Sequence, residues 1–339
     1  MNILYIAAMP GTSVDRGNAM RRIGHTVTQL DPRSFLPKTA WVDRITWKAG
    51  GQFFAPWLRN GIQNAIGKKT FDLTYIDNGE WASPMVLKYL KTISKLVINY
   101  NIDDPTGPRD GPRFKAYRQA VPYYDLLVVV RNENISELLA LGAKRVIRDF
   151  RSADEVVHAP RIITQEIKEK WQSEVLFLGT WMPERGPFLA ELAAQGIPLT
   201  IIGDNWQKAK EWPILKKYFK QKSAHGDDYA YAIQCAKVNI GLLSKGNRDL
   251  HTTRSLEIPS LGGLFCAERT SEHLAMYTEG TEALFWSTPS ECAEKIKWAL
   301  ANNQARTDIA NAGRIRYLQN DYQNEIVVKK ILDAAINGS

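Results

Sequence analysis

Arg254 and Glu257 stand one helical turn apart in the stretch DLHTTRSLEIPSLGGLFCAE (249–268), so a guanidinium and a carboxylate share one helix face. Pro259 and the pair Gly262-Gly263 stop that helix, and the apolar run from Leu264 to Ala267 follows. A glycine pair there lets backbone approach a ligand, because no Cβ stands in the way. The Glu257 carboxylate offers two acceptor oxygens in a fork that suits the vicinal hydroxyls of a ribose. The Arg254 guanidinium suits bidentate bonds to a diphosphate. The plain alternative for Glu257 is a solvated glutamate on a helix surface. A second candidate is the turn LGTWMPERGP (178–187), which carries Gly179, Thr180 and Arg185. It follows an apolar strand and opens a helix, where free backbone N–H groups and the helix dipole favour phosphate.

These groups need a scaffold, and the hydrophobic pattern supplies one. Short apolar runs alternate with helical patterns, the sign of parallel βαβ units. Strands are expected over 3–7, 26–30, 73–76, 96–100, 126–130 and 145–148, with helices over 13–23, 56–66, 84–90, 111–120 and 133–141. The rhythm then restarts with strands over 175–178, 199–202, 238–242, 264–267 and 283–286, and helices over 187–195, 207–219, 229–235, 253–258 and 289–302. From 306 onward the chain reads as helical, broken near 319–321. The restart follows a polar stretch near 159–172 and argues for two Rossmann-like domains, 1–160 and 161–318, with a closing helix in 319–339 returning toward the first. The first loop has Gly11 and then Thr12 or Ser13 as a helix cap. It is not GxGxxG, which disfavours a dinucleotide oxidoreductase.

Composition narrows the class. At 339 residues, with 44% hydrophobic and 24% charged, the chain is that of a globular protein of two ordinary domains. No run approaches the roughly 18 apolar residues of a membrane span. Cys235, Cys266 and Cys292 are an odd number without CxxC spacing, so neither a disulfide framework nor a zinc site is indicated. The expected location is cytoplasmic. Of the net charge of +8, residues 1–160 carry +7 (22 Lys and Arg against 15 Asp and Glu). Part of that excess lies among Trp41, Trp47, Phe53, Phe54 and Trp57, interleaved with Lys38, Arg44, Lys48 and Arg59. Such a mixture suits a nucleic-acid groove or an interfacial membrane contact. The favoured expectation is a helix whose aromatics pack inward while the cations snorkel out.

The segment 249–268 resembles the donor-binding motif of glycosyltransferases with the GT-B fold, and within them the spore-maturation (CgeB-like) relatives of retaining family 4, whose version runs approximately R-x-F-E-x-P-A-x-G-G. The resemblance implies two Rossmann-like domains facing across a cleft. It implies that Glu257 binds the nucleotide ribose and that Asp249, an acid seven positions earlier, faces the donor sugar. The family places an Arg directly after the first glycine of the 178–187 turn and a Lys five residues later. Here Thr180 stands in the first position and Arg185 in the second, so Arg254 is the candidate for the missing cation. By the same resemblance Gly203 and Asp204 in IIGDN (201–205) line the base site, and His225 completes it. On the acceptor side the first loop (Gly11, Thr12) faces the cleft. Asp103-Asp104 before Pro105 resembles a family DDP signature, and SADEVVHAP (152–160) puts His158 at the cleft or at a hinge.

The expected activity is a retaining, metal-independent transfer of a sugar from a nucleotide diphosphate, UDP foremost. The nucleotide sugar is a co-substrate, and no cofactor or metal is implied. The acceptor is expected to be anionic: a glycan, a polymer or modified DNA, with peripheral membrane contact left open. Two rivals stand beside it: a nucleic-acid-binding protein, and a catalytically inactive GT-B scaffold permitted by Thr180.

Overall fold

The computed structural model describes residues 1–9 and 11–338, so that Pro10 in the first loop and Ser339 lie outside it. The chain forms two compact units: Met1–Arg151 with Gly246–Arg248 and the residues from Asn324 onward, and Ser152–Lys245 with Asp249–Gln323.

In the first unit β1 (Asn2–Ile6), β2 (Thr26–Leu30), β3 (Phe71–Asp77), β4 (Ser94–Asn101), β5 (Leu126–Val129) and β6 (Val146–Arg148) form one parallel sheet in the order β2-β1-β3-β4-β5-β6. Both faces are covered, which is why β3 (FDLTYID) and β4 (SKLVINYN) are buried over most of their length. Successive side chains go to opposite faces. Leu4, Ile6, Ile76, Val97 and Leu127 meet Leu58 and Ile62 of the helix Ala55–Ile66. Ile3, Tyr5, Leu73, Tyr75 and Ile98 meet Val327, Val328, Ile331 and Leu332 of the closing helix Asn324–Asn337. That spacing forms a single apolar stripe.

In the second unit β7 (Ser173–Leu178), β8 (Leu199–Ile202), β9 (Phe219–Gln221), β10 (Ala236–Gly241), β11 (Phe265–Glu268) and β12 (Leu284–Trp286) form a parallel sheet in the order β12-β11-β10-β7-β8-β9. In each sheet the connections reverse direction once, between β1 and β3 and between β7 and β10. Open α/β sheets bind ligands beyond the carboxyl ends of such a pair.

The structure departs from the sequence expectations in several places. The first unit ends at Arg151 rather than 160. Residues 152–160 pack in the second unit, where Ala153 N–H donates to Tyr322 O and Ser260 Oγ donates to His158 O. The polar stretch before β7 contains a helix, Gln165–Trp171, capped by Thr164 and anchored by buried Trp171. The helix expected over 207–219 is a short turn, the helix Trp212–Leu215 and then β9, because Pro213 fits only a helix start. The helix Ala40–Ala49 forms within the stretch where a helix with inward-facing aromatics was expected, but it buries a different face. It turns Val42 and Thr46 inward and leaves Trp41 and Trp47 outside, 48% and 51% exposed. Phe53 and Trp57 are also exposed, at 59% and 53%, so of the five aromatics expected to pack inward Phe54 alone is buried.

Ile331 is fully buried between the closing helix and the first sheet. Ile331→Ala is expected to lower unfolding stability by about 2–5 kcal/mol, read as a shift of the chemical-denaturation midpoint at unchanged slope.

Candidate functional site

β7 ends at Leu178, and the chain turns through Gly179 and Thr180 into the helix Arg185–Ala194. β10, its neighbour at the reversal point, ends in Leu242-Leu243. Arg185 lies across both ends at 8% exposure. Its Nη1 donates to Thr180 O at 2.7 Å, and its Nη2 donates to Leu242 O at 3.3 Å and Leu243 O at 3.4 Å. Arg254 opens the helix Arg254–Ser260 and donates from Nε to Leu178 O at 3.2 Å. The two guanidinium groups are therefore tied to the same three-residue turn. Arg254 also rests 4.8 Å from the centre of the Tyr229 ring and keeps 29% of its side chain exposed.

Behind Arg254 sits Glu257, 2% exposed. Its Oε2 accepts from Arg254 Nη1 and from the Tyr229 hydroxyl, both at 2.5 Å. Its Oε1 faces His158 Nε2 at 3.6 Å, beyond hydrogen-bond length. Asp154 N–H donates to His158 Nδ1 at 3.0 Å, which assigns the proton of the neutral ring to Nε2, toward Glu257. Burial pushes the Glu257 carboxyl up, but Arg254, His158 and the Tyr229 hydrogen bond outweigh it and hold it below the usual carboxylate range. Burial pushes the Tyr229 hydroxyl well up, so it remains a donor. The helix carrying the pair is held from behind. Ser255 Oγ meets His273 Nε2 at 2.8 Å, the other ring nitrogen of His273 meets Glu268 O at 2.7 Å, and Tyr277 donates to Ser255 O at 2.8 Å.

Other expected donor residues fare differently. Gly203 is forced by contact: a Cβ there would lie 1.9 Å from Gly179 O, and its φ is +157°. Gly179 N–H is spent on Ile202 O, and the Asp204 carbonyl accepts from Trp181 N–H. Thr180 and His225 are exposed, and Asp249 is buried. The amides of Gly262 and Gly263 do not face a ligand. They donate to Pro259 O and Ile258 O and cap the helix, with Gly262 at φ +79°. A Cβ on Gly263 would lie 2.7 Å from Asn239, so the pair serves packing. The turn before Arg185 is also poorer in amides than expected, since Arg185 N–H donates to Met182 O and Pro187 has none. His158 belongs to the second unit, beside Glu257, and not to the acceptor side.

In the first unit a cavity of about 100 Å³ lies beyond the ends of β1 and β3. Ile6, Leu58, Ile76 and Trp81 wall it, and Asp77, Asn78, Glu80 and Arg113 supply its polar groups. Asp77 accepts from buried Arg16 and from Tyr5 OH at 2.5 Å, and Arg16 lies 4.6 Å from the Tyr100 ring centre. Burial pushes the Tyr100 hydroxyl up to about 12. Glu80 pairs with Arg113, yet burial still raises its carboxyl. This group was not anticipated from the sequence, although Asp77-Asn78-Gly79 directly follows the buried residues Leu73, Tyr75 and Ile76 of β3. Asp104, expected on the acceptor side, is spent on an ion pair within the first unit. Arg248 grips it with Nε–Oδ2 and Nη2–Oδ1 bonds of 2.7 Å each. Asp103 accepts from Asn78 and Arg113 at 3.1 and 3.3 Å. Gly11 itself caps the helix Thr12–Arg22, without a side-chain bond, and both it and Thr12 are exposed. Among the described residues no group of three or more His, Cys, Asp or Glu could hold a metal ion, and no helix is long and apolar enough to cross a membrane.

Solved structures share this fold over the whole or nearly the whole chain. Sucrose-phosphate synthase from Thermosynechococcus elongatus is 12% identical, with a TM-score of 0.73 and full coverage of both chains. HepE of Anabaena, solved in complex with UDP-glucose, is 13% identical, with a TM-score of 0.68, covering 99% of this chain and 100% of that one. The fold is GT-B. A protein from Listeria monocytogenes described as a candidate UDP-N-acetylglucosamine 2-epimerase shares the GT-B fold at 13% identity and a TM-score of 0.58, over 98% and 95% of the two chains. Residues 185–333 match the family profile described as glycosyl transferase-like, a stretch that holds Arg185, Tyr229, Arg254 and Glu257. No curated protein matches the sequence.

Because Glu257 is held below its ordinary value, the ionised pair contributes stability above an unfolded value of about 4.3, and that contribution is lost as pH falls through the lower folded value. Glu257→Gln leaves the Arg254 charge unmatched and is expected to cost about 2–4 kcal/mol at neutral pH. Denaturation across pH should show the gap to wild type closing as pH falls below about 4.3. A gap independent of pH would contradict the assignment.

Proposed function

We propose that this protein is a retaining glycosyltransferase that uses a nucleotide diphosphate sugar, UDP-linked, and works without a divalent metal. The observation that carries the proposal is the pair of guanidinium groups, Arg185 and Arg254, fixed to one turn at the reversal point of the second sheet. Negative charge grows on the leaving diphosphate as the sugar departs, and cations already oriented need no rearrangement to meet it. Arg254 is the more accessible of the two and would reach the phosphates first, with Arg185 behind it. Glu257 holds Arg254 in place. Its Oε1, which has only the 3.6 Å contact to His158, is the oxygen left to take a ribose hydroxyl. The acceptor would be anionic, a glycan, a polymer or modified DNA, and the first-unit cavity with Asp77 and Glu80 is where its hydroxyl would bind. The relative solved with UDP-glucose and the glycosyl transferase-like profile support this reading.

The neighbour described as a candidate UDP-N-acetylglucosamine 2-epimerase supplies a rival, epimerisation of the sugar in place of its transfer. Thermal shift with UDP and UDP-glucose tests binding: ligand at 100-fold its Kd adds about 2.7 kcal/mol of stability. Arg254→Ala and Arg185→Ala are each expected to weaken UDP binding at least about tenfold, or about 1.4 kcal/mol, in calorimetry. Proton NMR of the reaction then decides the chemistry. Release of UDP with an anomer matching the donor is expected, and an isomerised sugar still attached to UDP would overturn transfer. EDTA is expected to leave turnover within about twofold, and loss restored by manganese or magnesium would show that the arginines do not suffice.

A further inference from the structure

The structure changes where the free positive charge of the first unit lies. Two basic stretches, 109–118 and 144–151, spend much of their charge internally. Arg113 pairs with Glu80 and Asp103, Lys144 pairs with Asp125, and Arg118, Arg145, Arg148 and Arg151 donate to backbone carbonyls. Lys38, Arg44 and Lys48, by contrast, are exposed and have no ion-pair partner among the described residues. Asp43 is the sole acid between Lys38 and Lys69, and Arg33 holds it at 2.9 Å. The same surface carries the exposed aromatics. On the outer face of the helix Ala40–Ala49, Trp41, Arg44, Ile45 and Lys48 fall at i, i+3, i+4 and i+7. Phe54 lies buried between two half-exposed indoles, its ring centre 5.8 Å from Trp41 and 6.3 Å from Trp57.

A helix that buries one apolar face and bares another among lysines and arginines has an unpartnered surface. We propose that this face seats the protein on an anionic lipid bilayer. Indoles settle at the boundary between headgroups and acyl chains, and the flanking cations meet the anionic headgroups. Charge complementarity selects this occupant. A second copy meeting the first through the same patch would set two positive surfaces against each other. Nucleic-acid platforms stack bases on aromatics within a basic groove, whereas here Trp41 shares its outer helix face with Ile45, on which a base has nothing to stack, and Trp57 stands on a separate helix. The helix that carries the docking face adjoins the first-unit cavity through its inner side. Trp81, in the cavity wall, donates to Thr46 of this helix at 3.0 Å, and Arg113 lies 5.6 Å from the Trp47 ring. A lipid-anchored hydroxyl would thus be presented beside the proposed acceptor pocket, a consequence that rests on the proposed function, whereas docking itself does not.

The test is co-sedimentation of the full chain with vesicles of about seven parts phosphatidylcholine to three parts phosphatidylglycerol, and with phosphatidylcholine alone. The anionic vesicles are expected to bind the protein, less so as salt rises toward about 0.5 M. Trp41→Ser/Trp57→Ser and Arg44→Glu/Lys48→Glu are each expected to weaken binding at least about tenfold while melting as wild type does, because all four side chains are exposed. Failure of the wild type to sediment with anionic vesicles would overturn the proposal, as would variants that bind as tightly as wild type. Without vesicle binding, loss of single-stranded DNA binding in the same variants would assign the face to nucleic acid, and loss of dimerisation would assign it to self-association. Retention of the UDP thermal shift in both variants separates this outcome from any failure of the donor site.

Discussion

A buried carboxylate is tolerable only when a cation meets it, and the second unit is organised around one such pair, Glu257 with Arg254. Glu257 holds Arg254 from behind, Tyr229 stacks beneath the guanidinium and donates to the same carboxylate oxygen, and Leu178 O receives Nε. The helix Arg254–Ser260 is thereby fixed to the end of β7. Its other supports serve the same purpose: the glycine cap at 262–263, the Ser255–His273 bond and the Tyr277 hydroxyl on Ser255 O. Removing the carboxylate would both unpair a charge and loosen a helix.

Each sheet reverses its connections once, and each collects its unusual polar groups at that point. In the second unit these are Arg185 and Arg254 beside β7 and β10, while in the first they are Asp77 and Arg16 beside β1 and β3. The shared cause is geometric. Where adjacent strands send their chains to opposite faces, no connection covers the gap between their carboxyl ends, and side chains or a ligand must fill it. The first unit fills it with a tight ion pair beneath a small cavity, whereas the second leaves Arg254 partly open to solvent.

Local regularities made much of this legible in the sequence. The parallel sheets followed from apolar runs separated by helical patterns, and Arg254 with Glu257 followed from helical spacing. What escaped depends on partners far along the chain. Asp104 and His158 both read as acceptor-side residues because their partners are distant: Arg248, 144 residues on, grips the first, and Ser260, 102 residues on, binds the carbonyl of the second. The glycine pair read as a ligand contact because a pattern cannot say which carbonyls its amides will meet. Which face the helix Ala40–Ala49 buries was hidden for another reason. Val42 and Thr46 form one stripe and Trp41 and Ile45 the next, and periodicity alone does not say which one faces the core.

The central claim, that Arg185 and Arg254 receive a nucleotide diphosphate, is tested most directly by a crystal structure of the protein soaked with UDP. Difference density for the two phosphates is expected at the turn Leu178–Thr180, with at least one phosphate oxygen within about 2.7–3.2 Å of an Arg254 nitrogen. UDP bound elsewhere, or a diphosphate that touches neither arginine, would contradict it.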